Sequence, residues 1–269
     1  MAAFSKVVLV TGGSSGLGRA MCSRLTATGH TVYGTSRQIE KLEKTDGITL
    51  IGMDITSDRS VNEAIEEVIR REGRIDVLIN NAGLGIQGPV EDISSEMATR
   101  LFDTNVIGAH RVCRAILPHM REAKSGLIIN ISSIAANFGL PYRSFYSATK
   151  AAVDRYGESL SLEVRKFGIK VVTVQPGEFN TNIGSKRLRP EKIGDAYASG
   201  YEKTMRELEQ SIGSSRDPDE LARLIAKIVA DPSPASIYHA AQGKQKLSVL
   251  LKKLLPGRMF ERMLARHFE

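Results

Sequence analysis

The chain has 269 residues, of which 42% are hydrophobic and 25% charged. That is the balance of an ordinary soluble globular protein, with room for one large α/β domain or two small ones. No apolar run approaches a membrane span, the five histidines show no metal-ligand spacing, and two distant cysteines, Cys22 and Cys113, exclude a disulfide framework. The net charge of +7 is uneven: from Lys244 onward seven basic residues stand against two acidic ones, so that tail carries +5 and the rest +2.

The N-terminal stretch MAAFSKVVLVTGG has too short an apolar segment for a secretory signal, so a cytoplasmic setting is expected. Its run KVVLV reads as a strand that enters TGGSSGLGRA, the start of a helix over 16–28. Gly12, Gly16 and Gly18, with Ser14, Ser15 and Leu17, form a turn where backbone can approach a pyrophosphate at a helix N-terminus. A flexible Gly/Ser turn is the competing reading of the glycines alone. The second strand, HTVYGTS, ends at Ser36 and Arg37, where an NAD-selective fold carries an acidic residue. A guanidinium there suits a 2′-phosphate, which points to NADP(H) over NAD(H); a solvated Arg opening the next helix is the alternative. The third strand, GITLIGM, leads to Asp54 and Ile55, with Asp54 either accepting from an adenine amine or capping a helix over 60–72.

The fourth strand, DVLIN, is followed by Asn81, Ala82 and Gly83, small enough for close passage of a cofactor. A long helix is expected over 96–122, with Met97, Leu101, Gly108, Val112 and Ile116 on one stripe and Asn105 inside it. A buried amide left without partners costs about 1–3 kcal/mol, so Asn105 needs a reason to be there. The fifth strand, GLIINIS, closes on Ser132 and Ser133, which point to opposite faces in extended chain. Next comes SFYSATKAA, which opens a helix over 146–166 and puts Tyr146 one turn from Lys150. A nearby cation favours phenolate over phenol, and so suits a tyrosine to proton transfer. KVVTVQP forms a sixth strand, a polar interruption covers 184–216, a helix is expected over 217–230, and ASIYHA is a weak seventh strand. Repeated β-α-β units with near-continuous Val/Ile/Leu strands predict a single doubly wound, Rossmann-type parallel sheet covered on both faces, within residues 1–243. Residues 244–269 read as a basic extension of two short amphipathic helices broken at Pro256–Gly257.

Taken together, TGGSSGLG, NNAG, the helical Asn105, ISS and YSATK occur in an order and at distances that resemble the short-chain dehydrogenase/reductase family from about Lys6 to about His239. SSIAANFGLPYRSFYSATKAA is most similar to its hydroxysteroid and retinol dehydrogenases. The resemblance implies a catalytic set of Asn105, Ser133, Tyr146 and Lys150. Tyr146 would be the general acid/base, Ser133 would orient the substrate oxygen, Lys150 would assist Tyr146 and hold the nicotinamide ribose, and Asn105 would hold a water linking Lys150 to solvent. It also implies that Pro176 and Gly177 lie against the nicotinamide and that Thr181 bonds its carboxamide.

Expected substrate walls are Leu84 and Ile86, Ala135 to Leu140, and Phe179 with the 184–216 interruption. A mainly apolar pocket of that kind suits a lipophilic carbonyl or alcohol. The basic tail could lie on an anionic membrane surface, close over the pocket, or pack on the body or another subunit. Nucleic-acid binding is not expected, since no recognition module accompanies the charge. A homodimer or homotetramer joined through 96–122 and 146–166 is what the family likeness implies. Two other readings of function stay open: reduction of a carrier-bound 3-oxoacyl chain, and NADP(H) sensing without catalysis, against which all four catalytic residues speak.

Overall fold

The computed structural model describes residues 5–38, 47–180, 187–213 and 216–268. Strand β1 (Val7–Val10) runs into α1 (Gly16–Ala27), followed by β2 (Thr31–Ser36), β3 (Thr49–Gly52), α2 (Asp58–Glu72) and β4 (Val77–Asn80). Then come α3 (Ser95–Phe102), a π turn (Asp103–Ile107), α4 (Gly108–Glu122), β5 (Gly126–Ile131), α5 (Ser144–Val164) and β6 (Ile169–Pro176). The chain continues through α6 (Asp195–Gly213), α7 (Pro218–Ala230), β7 (Ile237–Ala240), α8 (Gly243–Leu254) and α9 (Gly257–Phe268).

All seven strands are parallel, in the order β3-β2-β1-β4-β5-β6-β7. Alternation along each strand feeds two cores. Leu9, Leu78 and Ile128 pack with Ile65 of α2 and Ile116 of α4 on one face. Val8, Val10, Ile79 and Ile129 pack with Leu25 of α1 and Ile225 of α7 on the other. Each such fully buried side chain contributes roughly 1.5–3 kcal/mol, which is what fixes the helices to the sheet. The strand order reverses between β1 and β4, and in such sheets ligands bind beyond the carboxyl ends at that point.

Three expectations are corrected. The segment 96–122 is not one α-helix, because the π turn at Asp103–Ile107 interrupts it around Asn105. The stretch 184–216 is not merely a polar interruption: it carries α6, whose Thr204 and Leu208 are buried. Asp54 does not cap α2, since Ser57 does so by accepting from the Ser60 N–H at 3.3 Å.

Candidate active site

A cleft of ≈1830 Å³ lies across the carboxyl ends of the strands. Pockets for one small ligand usually span about 300–1,000 Å³, so this one has room for a dinucleotide and a second molecule. Gly12, Ser14, Ser15, Gly16, Leu17 and Gly18 line one end. Gly12 and Gly16 have φ of +66° and +53°, a region that disfavours side chains. A Cβ at Gly18 would stand 2.1 Å from the Gly12 carbonyl oxygen. Asn81 braces this turn, donating from Nδ2 to the Thr11 carbonyl at 2.9 Å. Ser15 begins α1 without capping it, and the first turn holds no acidic residue, so its N–H groups face an uncontested anion seat.

Ser36 and Arg37 line the next part of the cleft, then Asp54 and Ile55. Burial pushes the Asp54 carboxyl up, but the Thr56 N–H and hydroxyl and the Arg37 and Arg111 cations outweigh it and hold the carboxyl below its usual range. Ala82 and Gly83 continue the wall, and a Cβ at Gly83 would meet Asn105 Oδ1 at 3.1 Å and Lys150 Nζ at 3.8 Å. The cradle of glycines, the open helix start, and Arg37 and Asp54 along the wall fit a nicotinamide dinucleotide. Pro176 and Gly177 line the far corner; Thr181 lies outside the described residues.

Ser133, Tyr146 and Lys150 all line the cleft, as Gly83 does. Strand β5 ends at Ile131, so Ser133 stands just past it, starting a short turn, with its Oγ accepting from the Ala135 N–H at 3.2 Å. Ser132 turns the other way and donates to the Lys150 carbonyl at 3.2 Å, as the alternation of extended chain requires. Lys150 is buried, its Nζ donating to the Ile131 carbonyl at 2.9 Å and lying 5.8 Å from the centroid of the Tyr146 ring.

Asn105 sits behind this wall rather than on it. Its Oδ1 accepts from the Leu84 N–H at 2.7 Å, and Nδ2 donates to the Leu84 carbonyl at 2.9 Å and to Thr149 Oγ1 at 3.2 Å. Both amide hydrogens are thus committed, so the side chain is a brace between the π turn, the loop after β4 and α5.

The substrate end of the cleft carries the anticipated Leu84, Ile86, Ala135, Phe138, Leu140 and Phe179. It is less apolar than expected, because Arg143, Arg187 and Glu178 share the wall. Arg143 Nη2 lies 3.9 Å from Glu178 Oε1, and its buried Nε has no hydrogen-bond partner. Burial pushes the Arg143 guanidinium down, with Glu178 and Tyr146 pulling it back; burial and then the Arg143 charge do the same to Arg187. Nothing in the sequence separates these two from other basic residues. Helix α6 was more legible: Tyr197, Tyr201, Thr204 and Leu208 recur at helical spacing.

Of the three readings of the tail, position bears on the second, closure over the pocket. Helices α8 and α9 fold over the cleft, with Gln245, Ser248, Leu251 and Leu264 on its wall. Phe260 is fully buried, its ring 5.2 Å from that of Phe138, and a Cβ on Gly177 would run into Gln245 Oε1.

The family described as short chain dehydrogenase matches residues 6–192. The chain is 40% identical over 258 residues to a 3-ketodihydrosphingosine reductase of Bacteroides thetaiotaomicron, covering 95% of each. It is 31% identical to bovine retinol dehydrogenase 8, covering 87% of this chain and 81% of that one. Among solved structures, a short-chain dehydrogenase from Streptomyces avermitilis superposes with a TM-score of 0.82 at 36% identity, over 94% of this chain and 93% of that one. ElxO with NADP bound superposes with a TM-score of 0.74 at 26% identity, over 90% and 100%. With the matching segment spanning more than half its length, and the seven-stranded sheet and glycine turn in place, the chain belongs to the short-chain dehydrogenase family, oxidoreductases that work with a nicotinamide cofactor.

Proposed function

We propose that the chain is an NADP(H)-dependent oxidoreductase that interconverts a ketone and an alcohol on a long-chain, lipophilic substrate with a polar end near the reacting carbon. The observation that carries this reading is the presence of Ser133, Tyr146 and Lys150 together in the lining of a cleft whose other end is the glycine turn. A bound nicotinamide supplies the hydride on reduction and receives it on oxidation. Tyr146 gives its phenolic proton to the carbonyl oxygen in the first direction and removes it from the hydroxyl in the second. The buried Lys150 ammonium stabilises the phenolate that reduction leaves behind. The Ser133 hydroxyl positions the substrate oxygen and stabilises charge that develops on it.

Arg37 at the mouth of the ribose seat supports NADP(H), and the NADP bound to the related ElxO accords with it. The apolar walls around Phe138 and Phe179 suit an alkyl chain, and Arg143, Arg187 and Glu178 give the polar end a seat. A relative named 3-ketodihydrosphingosine reductase, alike over 95% of both chains, favours a long-chain amino ketone among lipophilic substrates.

The test is NADPH consumption against 3-ketodihydrosphingosine, a steroid ketone, retinal and a 3-oxoacyl thioester, with Tyr146→Phe alongside. Turnover of the long-chain ketone, reduced on the order of a thousandfold in the variant, is expected. NADPH binding with silence across the panel would overturn the enzymatic reading in favour of nucleotide sensing. Preference for the thioester would move the substrate to a carrier-bound chain.

A further inference from the structure

We infer that α8 and α9 present a docking surface for an anionic lipid bilayer, set at the mouth of the cleft. Nine large apolar side chains are exposed among the described residues, and five of them, Leu247, Leu250, Leu254, Met259 and Met263, belong to these two helices. On α8 the leucines stand at i, i+3 and i+7, which places them on one face, while Val249 faces inward and is buried. Lys246 and Lys253 fall on one flank of that stripe and Lys244 on the other, all exposed. On α9, Met259 and Met263 share a face, and Arg258, Arg262 and Arg266 are exposed on the same helix. An apolar stripe bordered by cations is the pattern of a helix that lies in a membrane interface. Among the described residues no helix is long and apolar enough to cross a membrane, so the contact is with its surface.

Charge selects the occupant. A second copy packed face to face would set a +5 tail against another +5 tail, whereas an anionic headgroup layer complements it. Leu247, Met259 and Met263 belong both to the exposed surface and to the wall of the cleft. A lipid held in the bilayer therefore meets apolar side chains of the docking surface that lead into the substrate end. That delivery role rests on the proposed function; the docking itself does not.

The experiment is co-sedimentation of the full chain with vesicles of phosphatidylglycerol and phosphatidylcholine, against vesicles of phosphatidylcholine alone. The double variant Leu250→Glu/Leu254→Glu, which leaves the cleft wall intact, and Lys246→Glu/Lys253→Glu are run in parallel, with thermal unfolding as the check on folding. The wild type is expected to pellet with the anionic vesicles only and less as salt rises. Each folded variant is expected to lose at least about tenfold in partitioning. Absence of pelleting, or pelleting that neither variant changes, would overturn the proposal. So would a wild-type dimer that the leucine variant converts to monomer without any vesicle binding. Because none of these readouts uses turnover, an inactive but vesicle-bound protein would count against the proposed reaction and not against the surface.

Discussion

At the scale of single residues, the cofactor end of the cleft is the part most plainly written in the sequence. Glycines at 12, 16 and 18 announce a turn that no other residue fits, and the structure gives the reason in a positive φ and a 2.1 Å clash. Arg37 is legible in the same way, as a cation where an acid would repel a phosphate. Arg37→Ala is expected to raise the KM for NADPH by roughly ten- to a hundredfold while changing that for NADH by much less, since a lost charge-assisted bond is worth about 1.5–3 kcal/mol. Steady-state kinetics with both cofactors decides it, and equal losses would remove Arg37 from the recognition of the 2′-phosphate. Arg143 and Arg187 were not legible. Their burial is a product of tertiary packing, and no local pattern marks an arginine that distant elements will cover.

At the scale of elements, periodicity located the strands and most helices to within two residues, because a buried strand or an amphipathic stripe is a property of consecutive residues. It could not show the π turn. Asn105 lies on the stripe of a regular helix just as well, and only its bonds to Leu84 and Thr149, from elements far away in the chain, explain why the helix widens there. The same dependence on distant partners governs Asp154 of α5, which is buried, accepts from Gln175 at 2.6 Å through Oδ2 and leaves Oδ1 without a partner. Burial raises its carboxyl above the ordinary range, with Ser132 and Gln175 opposing. A carboxyl raised on folding gives stability that is complete below the unfolded value, about 3.9, and lost as pH climbs through the folded one. Asp154→Asn keeps the acceptor and removes the charge. It is expected to raise the melting temperature at pH 7 by about 2–4 °C, roughly 1 kcal/mol, with the gain gone below about pH 4. A gain of equal size at both pH values would show that the carboxylate is not its source.

At the scale of the whole molecule, two exposed apolar residues remain on the elements that the family likeness implies for subunit contact, Ile107 at the end of the π turn and Leu162 on α5, the latter 69% exposed. We expect a homodimer or homotetramer joined through the segments 96–122 and 146–166, and Leu162→Glu to weaken it by at least tenfold in sedimentation velocity, since a buried unpaired charge is costly. A wild type that stays monomeric at micromolar concentration would rule this contact out. Oligomeric state was beyond the sequence itself, where a surface leucine reads the same whether or not a second chain covers it.

The strand order also sets a timetable. β1 lies inside the finished sheet, but its second neighbour is β4, and the bond from the Val7 N–H to the Asp76 carboxylate spans 69 positions. Until that later strand arrives, Val7–Val10 has an open edge of unpaired backbone on its β4 side. An unpaired edge of this composition is an invitation to pair with another chain. The most sheltered strand of the native protein is therefore among the most vulnerable in the growing one, and whatever delays residues 77–80 should be felt first as aggregation.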